Sequence, residues 1–540
     1  MSREQLGFDR TVSPANPENV RSMLAYAPDA ASDYVEEQIY HALSVDSKDP
    51  AIVTSSRWPA YELTMCGRRY VVGRPMFSKP SLHGRCTQGF LAYEIESRTV
   101  RFIKDCWRPD FHGARPEHEV YRRLNDAGAE NVLTCLGYED VRSSGGSWQV
   151  TRTQKAVNRS RAPTFGHYRL LIKEVCRPLT DFHNFKEFTL IMCDAIIVPA
   201  AHRDAWEKAG ILHHDVSVNN ILIYEDGRGK VEQLGILCDW DLCKDREQIE
   251  RNQKKGMPDR TGTWPFRSAL SLQFPGMPYM LSDDVESFIH VYHYCVLRFH
   301  ETNICNLASF VEYTYNAVRV RESDGAHIGG KNKLQQMLSS SPPMEVLHNH
   351  TLHQLLVDIS LLSSQHYSTI DIARLRQTYD PQVQEPPLDL EQGHESRTAR
   401  FSKRQLPQDV PKVQNATSKR SFVVPSGVAG EPLLHNHEAL FDLFVRYTSG
   451  VKDETGKVVR WPKTNTKCAD LFKGTRVASR KSNNFSSSYP SFDDAHSQDE
   501  AERTTKKRKG SDGFSLPGLD SEESQEAEEE EEEDEDEIEQ

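Results

Sequence analysis

Ile211-Leu212-His213-His214-Asp215-Val216-Ser217-Val218-Asn219-Asn220-Ile221-Leu222-Ile223, followed nineteen residues after Asn220 by Asp239-Trp240-Asp241, is the densest chemical signal in the chain. It sets a carboxylate, a carboxamide five positions on, and a second carboxylate just past an apolar run, Gly235-Ile236-Leu237-Cys238. The runs at 220–224 and 235–238 have strand length, and Asp226-Gly227 between them is a turn signal. A hairpin there would fix the polar groups on one loop platform. Such a set suits phosphoryl transfer: one carboxylate accepts the proton of an acceptor hydroxyl, while the amide oxygen and the second carboxylate hold magnesium against nucleotide phosphates. A lone H-x-D is a weak signal, but H-x-D-x-x-x-x-N followed across a hairpin by D-x-D is a strong one.

Together with Arg260-Thr261-Gly262-Thr263-Trp264 and Asp284-Val285-Glu286-Ser287-Phe288, these residues resemble the fungal-type protein kinase family, within the eukaryotic protein-kinase fold, over residues 84–380. The resemblance implies Asp215 as catalytic base, Asn220 and Asp239 as magnesium ligands, 260–264 as the end of an activation segment, and Asp284 as the anchor of a helix beneath the catalytic loop. The sequence departs from the kinase pattern at several points. His214 stands for the arginine that pairs a phosphorylated activation loop, Ser217 for the lysine aimed at the γ-phosphate, and Asp241 for the glycine of the metal-binding turn. Phe102 is bulky for the roof of an adenine pocket, and no Ala-Pro-Glu follows Trp264. Asp-Trp-Asp and Asp-Val-Ser also resemble the aminoglycoside and choline phosphotransferases, which act on small molecules.

Upstream, residues 58–103 break into strand-like runs separated by glycines. Gly84-Arg85-Cys86-Thr87-Gln88-Gly89 fits G-x-G-x-x-G with cysteine at the middle glycine, and Lys104 follows Gly89 by fifteen residues, a span one hairpin covers. Lys104 closes the alternation Val100-Arg101-Phe102-Ile103-Lys104, where it would meet the α- and β-phosphates. After Pro116, Val120, Tyr121 and Leu124 mark the apolar face of a helix, and Glu117 lies three and four residues before the first two, on the same face. A carboxylate on a buried face requires a cation, and Lys104 is the candidate. Glu119 falls off that stripe and reads as an exposed acid. By order along the chain, the run from Leu170 to Glu174 is the strand entering the hinge, whose backbone would contact adenine.

Composition bounds the rest. The 540 residues carry a net charge of -13, but 15 of the 79 acids lie in 520–540, leaving 66 Lys+Arg against 64 acids elsewhere, a net of +2. The acidity belongs to the tail. No window reaches the roughly 18 consecutive apolar residues of a bilayer span, and the first residues show no apolar signal core, so no membrane association is expected. Eleven cysteines without a C-x-x-C indicate reduced thiols in cytosol or nucleus rather than a disulfide framework. Residues 381–430 hold six prolines and two aromatics and read as a linker. A short helical segment returns within 431–478, and 479–540 is a disordered tail. There, Lys506, Lys507, Arg508 and Lys509 resemble a nuclear-import patch, and the acidic run suits basic partners such as histones. Two His-Asn-His triplets read as helix caps at Asn349 and Asn436 rather than as metal ligands.

The expectation is an α+β, two-lobed kinase-like fold: an extension over 1–55, a β-rich lobe with hinge over 56–178, and a helical lobe over 179–380. Its reaction would be ATP- and Mg2+-dependent transfer to a protein Ser/Thr hydroxyl. Asp215, Lys104 and Glu117 would be catalytic; Gly84, Gly89, Lys104, Glu174, Asn220 and Asp239 would bind nucleotide, the last two through metal. Transfer to a small molecule and a non-catalytic scaffold are the alternatives, and direct nucleic-acid binding is not expected.

Overall fold

Eight strands pair antiparallel into one sheet. They are β1 (Val12–Pro14), β2 (Tyr61–Met65), β3 (Arg68–Val72), β4 (Phe77–Ser78), β5 (Gln88–Glu94), β6 (Thr99–Pro109), β7 (Cys135–Asp140) and β8 (Phe165–Ile172). Their order is β1-β2-β3-β5-β6-β8-β7, with β4 on the side of β5. The computed structural model describes residues 9–26, 33–46, 49, 52, 58–79, 85–110, 115–143, 145–152, 164–196, 201–225, 234–255, 261–322, 325–380, 432–450 and 458–473. Gly84, Arg260, the linker, the basic patch and the acidic run lie outside them.

Strand periodicity assigns the two faces of the sheet. Val71, Leu91, Tyr93 and Val100 point to one side and pack against α1 (Pro17–Leu24) and α2 (Asp33–Leu43) through Met23, Ile39, Ala42 and Leu43. Tyr70, Val72, Ala92, Ile103 and Leu171 point to the other. On that second face Arg169, 2% exposed, pairs with Asp105 at 2.6 Å and reaches Asp9 and Thr11. A buried guanidinium without carboxylates would be costly, so these contacts fasten the first described residues to the sheet. Residues 1–55, expected as an extension, therefore supply an edge strand and two packed helices.

The sheet gives way to α3 (Glu117–Asp126) and then to a helix-rich part. It contains α4 (Phe185–Ile196), α5 (Ala201–Glu207), α6 (Arg246–Lys255), α7 (Ala269–Gln273), α8 (Leu281–Phe299), α9 (Leu307–Val311), α10 (Lys331–Leu338), α11 (His350–Ser368), α12 (Ile372–Tyr379) and α13 (Glu438–Thr448). Short pairs interrupt it: β9 (Arg177–Pro178) on β11 (Ile221–Tyr224), β11 on β12 (Leu234–Leu237), β10 (Ile211–Leu212) on β13 (Lys244–Asp245), and β14 (Val318–Val320) on β15 (His327–Gly329). Strands and helices are segregated, an α+β plan. One core runs from Val120, Leu124 and Leu170 through Phe185, Phe188 and α8 to Leu440, Phe444 and Phe472. No described helix is long and apolar enough to cross a membrane.

The segment after the linker is built into this core. Leu440, Leu443, Phe444 and Tyr447 of α13 are buried, Tyr447 donates to Asp358 at 2.7 Å, and Arg298 forms a two-bond ion pair with Asp470 at 3.0 and 2.6 Å. Asn349 caps α11 by accepting from Leu352 N, and Asn436 accepts from Glu438 N. His437, which precedes α13, bonds the buried His202 at 2.7 Å.

Candidate active site

The hairpin expected from the two apolar runs forms: β11 and β12 pair with Ile221 opposite Leu237. This register carries Asn220 and Asp239 to one end of the hairpin, where Cys238 N donates to Asn220 O at 2.9 Å. Asp239 adopts a left-handed backbone, φ 62 and ψ 63, before a single turn in which Trp240 is fully buried. Asp241 follows it back out toward the same space.

Asp215 sits on the loop between β10 and β11. Its Oδ1 accepts from Thr263 N at 2.7 Å and from Thr263 Oγ1 at 2.6 Å; Asn220 Nδ2 donates to Asp215 O at 2.8 Å and to Oδ2 at 3.1 Å. Burial, with Asp239 nearby, pushes the Asp215 carboxyl up to about 6 against these hydrogen bonds. The loop is held from below by the first turn of α8. Asp284 accepts from His213 N at 2.8 Å, His214 N at 3.1 Å, Tyr279 Oη at 2.7 Å and His202 Nε2 at 3.0 Å. Although burial raises it, these donors and the neighbouring imidazoles hold Asp284 well below the usual carboxylate range. His213 also bonds Cys238 O at 2.9 Å, coupling the loop to the turn bearing Asp239, and burial depresses its imidazole to about 4.

Lys104 leaves β6 toward α3, whose buried face is Glu117, His118, Val120, Tyr121 and Leu124. Its ammonium meets Glu117 at 2.6 Å, Asp239 at 2.7 Å and Asp241 at 3.0 Å. Tyr121 Oη accepts from Asp239 N at 3.3 Å, a second tie between α3 and the turn. Burial and the Asp241 carboxylate push Glu117 upward against the pull of Lys104. Asp239 is held far below its ordinary value despite burial, by Lys104, Arg85 and Lys79. Among the described residues, Glu117, Asp239 and Asp241 bring ligand oxygens within 4.8 Å of one another, a donor set suited to a hard cation. Asn220, expected as a ligand, gives its amide nitrogen to Asp215, which leaves its amide oxygen as the atom able to ligate.

Two other expected nucleotide contacts have further partners. Gly89 pairs with Lys104, and a Cβ there would collide with the Phe77 ring and lie 2.7 Å from Phe102 Cζ. The glycine makes room for the stacked Phe77–Phe102 pair, with ring centroids 6.1 Å apart. Glu174 lies just past β8, where the hinge was expected, but its carboxylate is used on Thr134, accepting from N and Oγ1 at 2.8 Å each. Only its backbone remains for adenine.

Sequence reasoning left three groups without a role: Asp241, quoted in the D-x-D signal and as the residue in place of a glycine; Arg85, an x of the glycine-loop motif, whose NH1 contacts Asp241 Oδ2; and Thr263, quoted only as part of the 260–264 segment. Paired acids flanking a buried tryptophan were the available signal for Asp241. The segment after Trp264, which lacks an Ala-Pro-Glu, is held by contacts from distant helices. Buried Lys333 of α10 donates to Pro265 O at 2.6 Å and Arg267 O at 2.8 Å, and Glu286 accepts from Ala269 N at 2.7 Å.

Comparison with known proteins adds the family. No curated protein matches the chain. Among solved structures, the Cydia pomonella granulovirus kinase PK-1 is similar over 53% of this chain and 86% of its own, at 16% identity and a TM-score of 0.30, a likeness too loose to bear weight. The family model described as fungal protein kinase matches residues 1–296, beginning well before Gly84 and ending within α8. Over that span, which holds the Lys104–Glu117 pair, the Asp215 loop and the Asp239 turn, the chain belongs to the fungal protein kinase family.

Proposed function

We propose that the protein transfers the γ-phosphoryl group of ATP, with Mg2+, to serine or threonine hydroxyls of a protein substrate. The observation that carries this reading is the Thr263 hydroxyl 2.6 Å from the Asp215 carboxylate, next to the cluster of Lys104, Glu117 and Asp239. A base must come within hydrogen-bond reach of the proton it takes, and here a hydroxyl of the right class already does so. The donor set fits magnesium. Its ligands are oxygens, Asp239 is 30% exposed and accessible from solvent, and Asn220 adds an amide oxygen nearby. Mg2+ held there would offset charge on the phosphates during transfer. The chain's own residues do the rest. Asp215 takes the hydroxyl proton, Lys104 orients the α- and β-phosphates and is kept in place by Glu117, and the backbone around Glu174 receives the adenine edge.

Two specific observations keep other readings alive. The second carboxylate of Asp-Trp-Asp on Lys104 suits a small-molecule phosphotransferase, and the Phe77–Phe102 stack beside Gly89 suits a scaffold with a narrowed adenine space. Incubating the full chain with γ-labelled ATP, Mg2+, general protein acceptors and a panel of small alcohols separates the three. Label on protein that falls about 10²–10⁴-fold in Asp215→Asn supports the kinase reading. Label on the alcohols alone supports the second, and nucleotide binding without transfer the third. For the tail, we propose electrostatic capture of basic proteins by 520–540 and nuclear import through Lys506, Lys507, Arg508 and Lys509. Association of the tail that survives 0.5 M NaCl unchanged would contradict the first.

A further inference from the structure

Lys104 is not the only cation that reaches Asp241. Arg85 approaches from the glycine-loop side, and its guanidinium meets the same oxygen, Oδ2, that accepts from the Lys104 ammonium. The two charges come from different places: Lys104 projects from β6, while Arg85 spans 156 residues of sequence to the turn after β12. Arg85 is firmly placed. Its carbonyl accepts from Trp107 N at 2.8 Å, three residues beyond Lys104 on the same strand, and its side chain is 16% exposed. Two fixed cations converging on one carboxylate oxygen make an anion-binding position that Asp241 itself fills.

The charge inventory indicates what else could fill it. The phosphotransfer reading brings a polyphosphate to a site that already holds the carboxylates of Asp215, Glu117, Asp239 and Asp241, and Ser217, 1% exposed, stands where a lysine would have offset phosphate charge. A guanidinium can do what that hydroxyl cannot, since it stays charged at any working pH and offers paired N–H donors to phosphate oxygens. We propose that Arg85 is a phosphate-binding residue of the nucleotide site, held by Asp241 in the free protein and passed to the terminal phosphates of a nucleoside triphosphate when one binds. Asp241 is then a competitor that the nucleotide displaces, so its charge lowers affinity for the metal-free nucleotide. The inference deepens the phosphotransfer reading and rests on it.

Calorimetric titration of the full chain with ATP and adenosine, without divalent metal, tests it in the parent, Arg85→Gln, Arg85→Lys and Asp241→Asn. Arg85→Gln should weaken ATP binding by about tenfold or more, roughly the worth of one charge-assisted contact. Adenosine binding should not change, Arg85→Lys should recover part of the loss, and Asp241→Asn should bind ATP more tightly than the parent. Arg85→Gln binding ATP like the parent, or losing adenosine and ATP in equal measure, overturns the inference while leaving the phosphotransfer reading standing. A parent chain that binds no ATP without metal overturns the inference alone, and one that binds none with Mg2+ either overturns both.

Discussion

Asp215 is held by three hydrogen bonds to its carboxylate and is nonetheless pushed up to about 6, because burial outweighs them. A base must be unprotonated to work, so the sign is fixed: the acid form predominates below the shifted value, and transfer should decline there. We expect the rate of the full chain to fall about tenfold per pH unit on the acid side of a break near 6, measured with label transfer at saturating ATP. A rate that stays level down to about pH 4.5 would show that the Asp215 carboxyl is not raised in the working protein, since an unshifted aspartate keeps its base form down to near 4, and a rate level well below about pH 3 would remove Asp215 from the base's role. Lys104 allows a different prediction. Glu117 is 1% exposed and its closest cation is the Lys104 ammonium, so Lys104→Met strands a buried carboxylate. That loss should cost about 3–5 kcal/mol of stability, read as a lower melting temperature, and Lys104→Met with Glu117→Gln should recover part of it. Glu117 was legible from sequence because helical periodicity set it on the stripe of Val120 and Tyr121, where a carboxylate needs a cation. Asp241 was not, since a residue compared with an expected glycine is read for the freedom it removes rather than for the oxygen it adds.

At the scale of elements, the β11–β12 hairpin and α8 position the chemistry. The hairpin was readable because its signals are local: two short apolar runs, a turn, and polar groups at one end. The support of the segment after Thr263 was not, because it comes from α10, through bonds that span 68 and 66 residues of sequence. There the Lys333 side chain, fully buried, holds the carbonyls of Pro265 and Arg267. Gly262 shows how tight this region is: its φ is +102, and a Cβ would lie 2.6 Å from His214 O. The conformation is one that L side chains rarely adopt, so the chain passes the Asp215 loop there only as glycine. Lys333→Met should therefore strand two buried carbonyls, at about 1–3 kcal/mol each, and loosen the registration of Thr263 on Asp215. The expected outcome is a lower melting temperature together with a reduced transfer rate, whereas Lys333→Arg, which keeps the donors, should lose less of both. Equal melting and equal rate in Lys333→Met would show that the carbonyls find other donors.

On the scale of the whole molecule, the fold is closed by its two ends. The first described residues are fastened to the sheet by Arg169, and the segment beyond the linker completes the core against α4, α8 and α11. Neither contribution was legible, for a physical reason: an amphipathic stretch shows that it must bury a face but not against what, and some fifty residues of proline-rich chain separate α13 from the core it joins. That separation costs little, since loop-closure entropy grows only with the logarithm of length, while the apolar face of α13 gains much. Leu440, Leu443, Phe444 and Tyr447 are each buried, at about 1.5–3 kcal/mol apiece, and the Arg298–Asp470 pair and the His202–His437 bond lie alongside. The second of these leads inward, because His202 also bonds Asp284, which holds the loop bearing Asp215. A chain ended after residue 431 should thus lose both stability and activity. We expect it to be insoluble or to melt more than about 10 °C below the parent, whereas a chain ended after Lys473 should melt like the parent. A third variant separates tethering from docking: with 385–425 replaced by a Gly/Ser linker of equal length, α13 can still reach its site, so melting and transfer should be kept. If the chain ended after 431 melts and transfers like the parent, α13 is dispensable to the core, and the route from His437 through His202 to Asp284 carries no load in holding the loop.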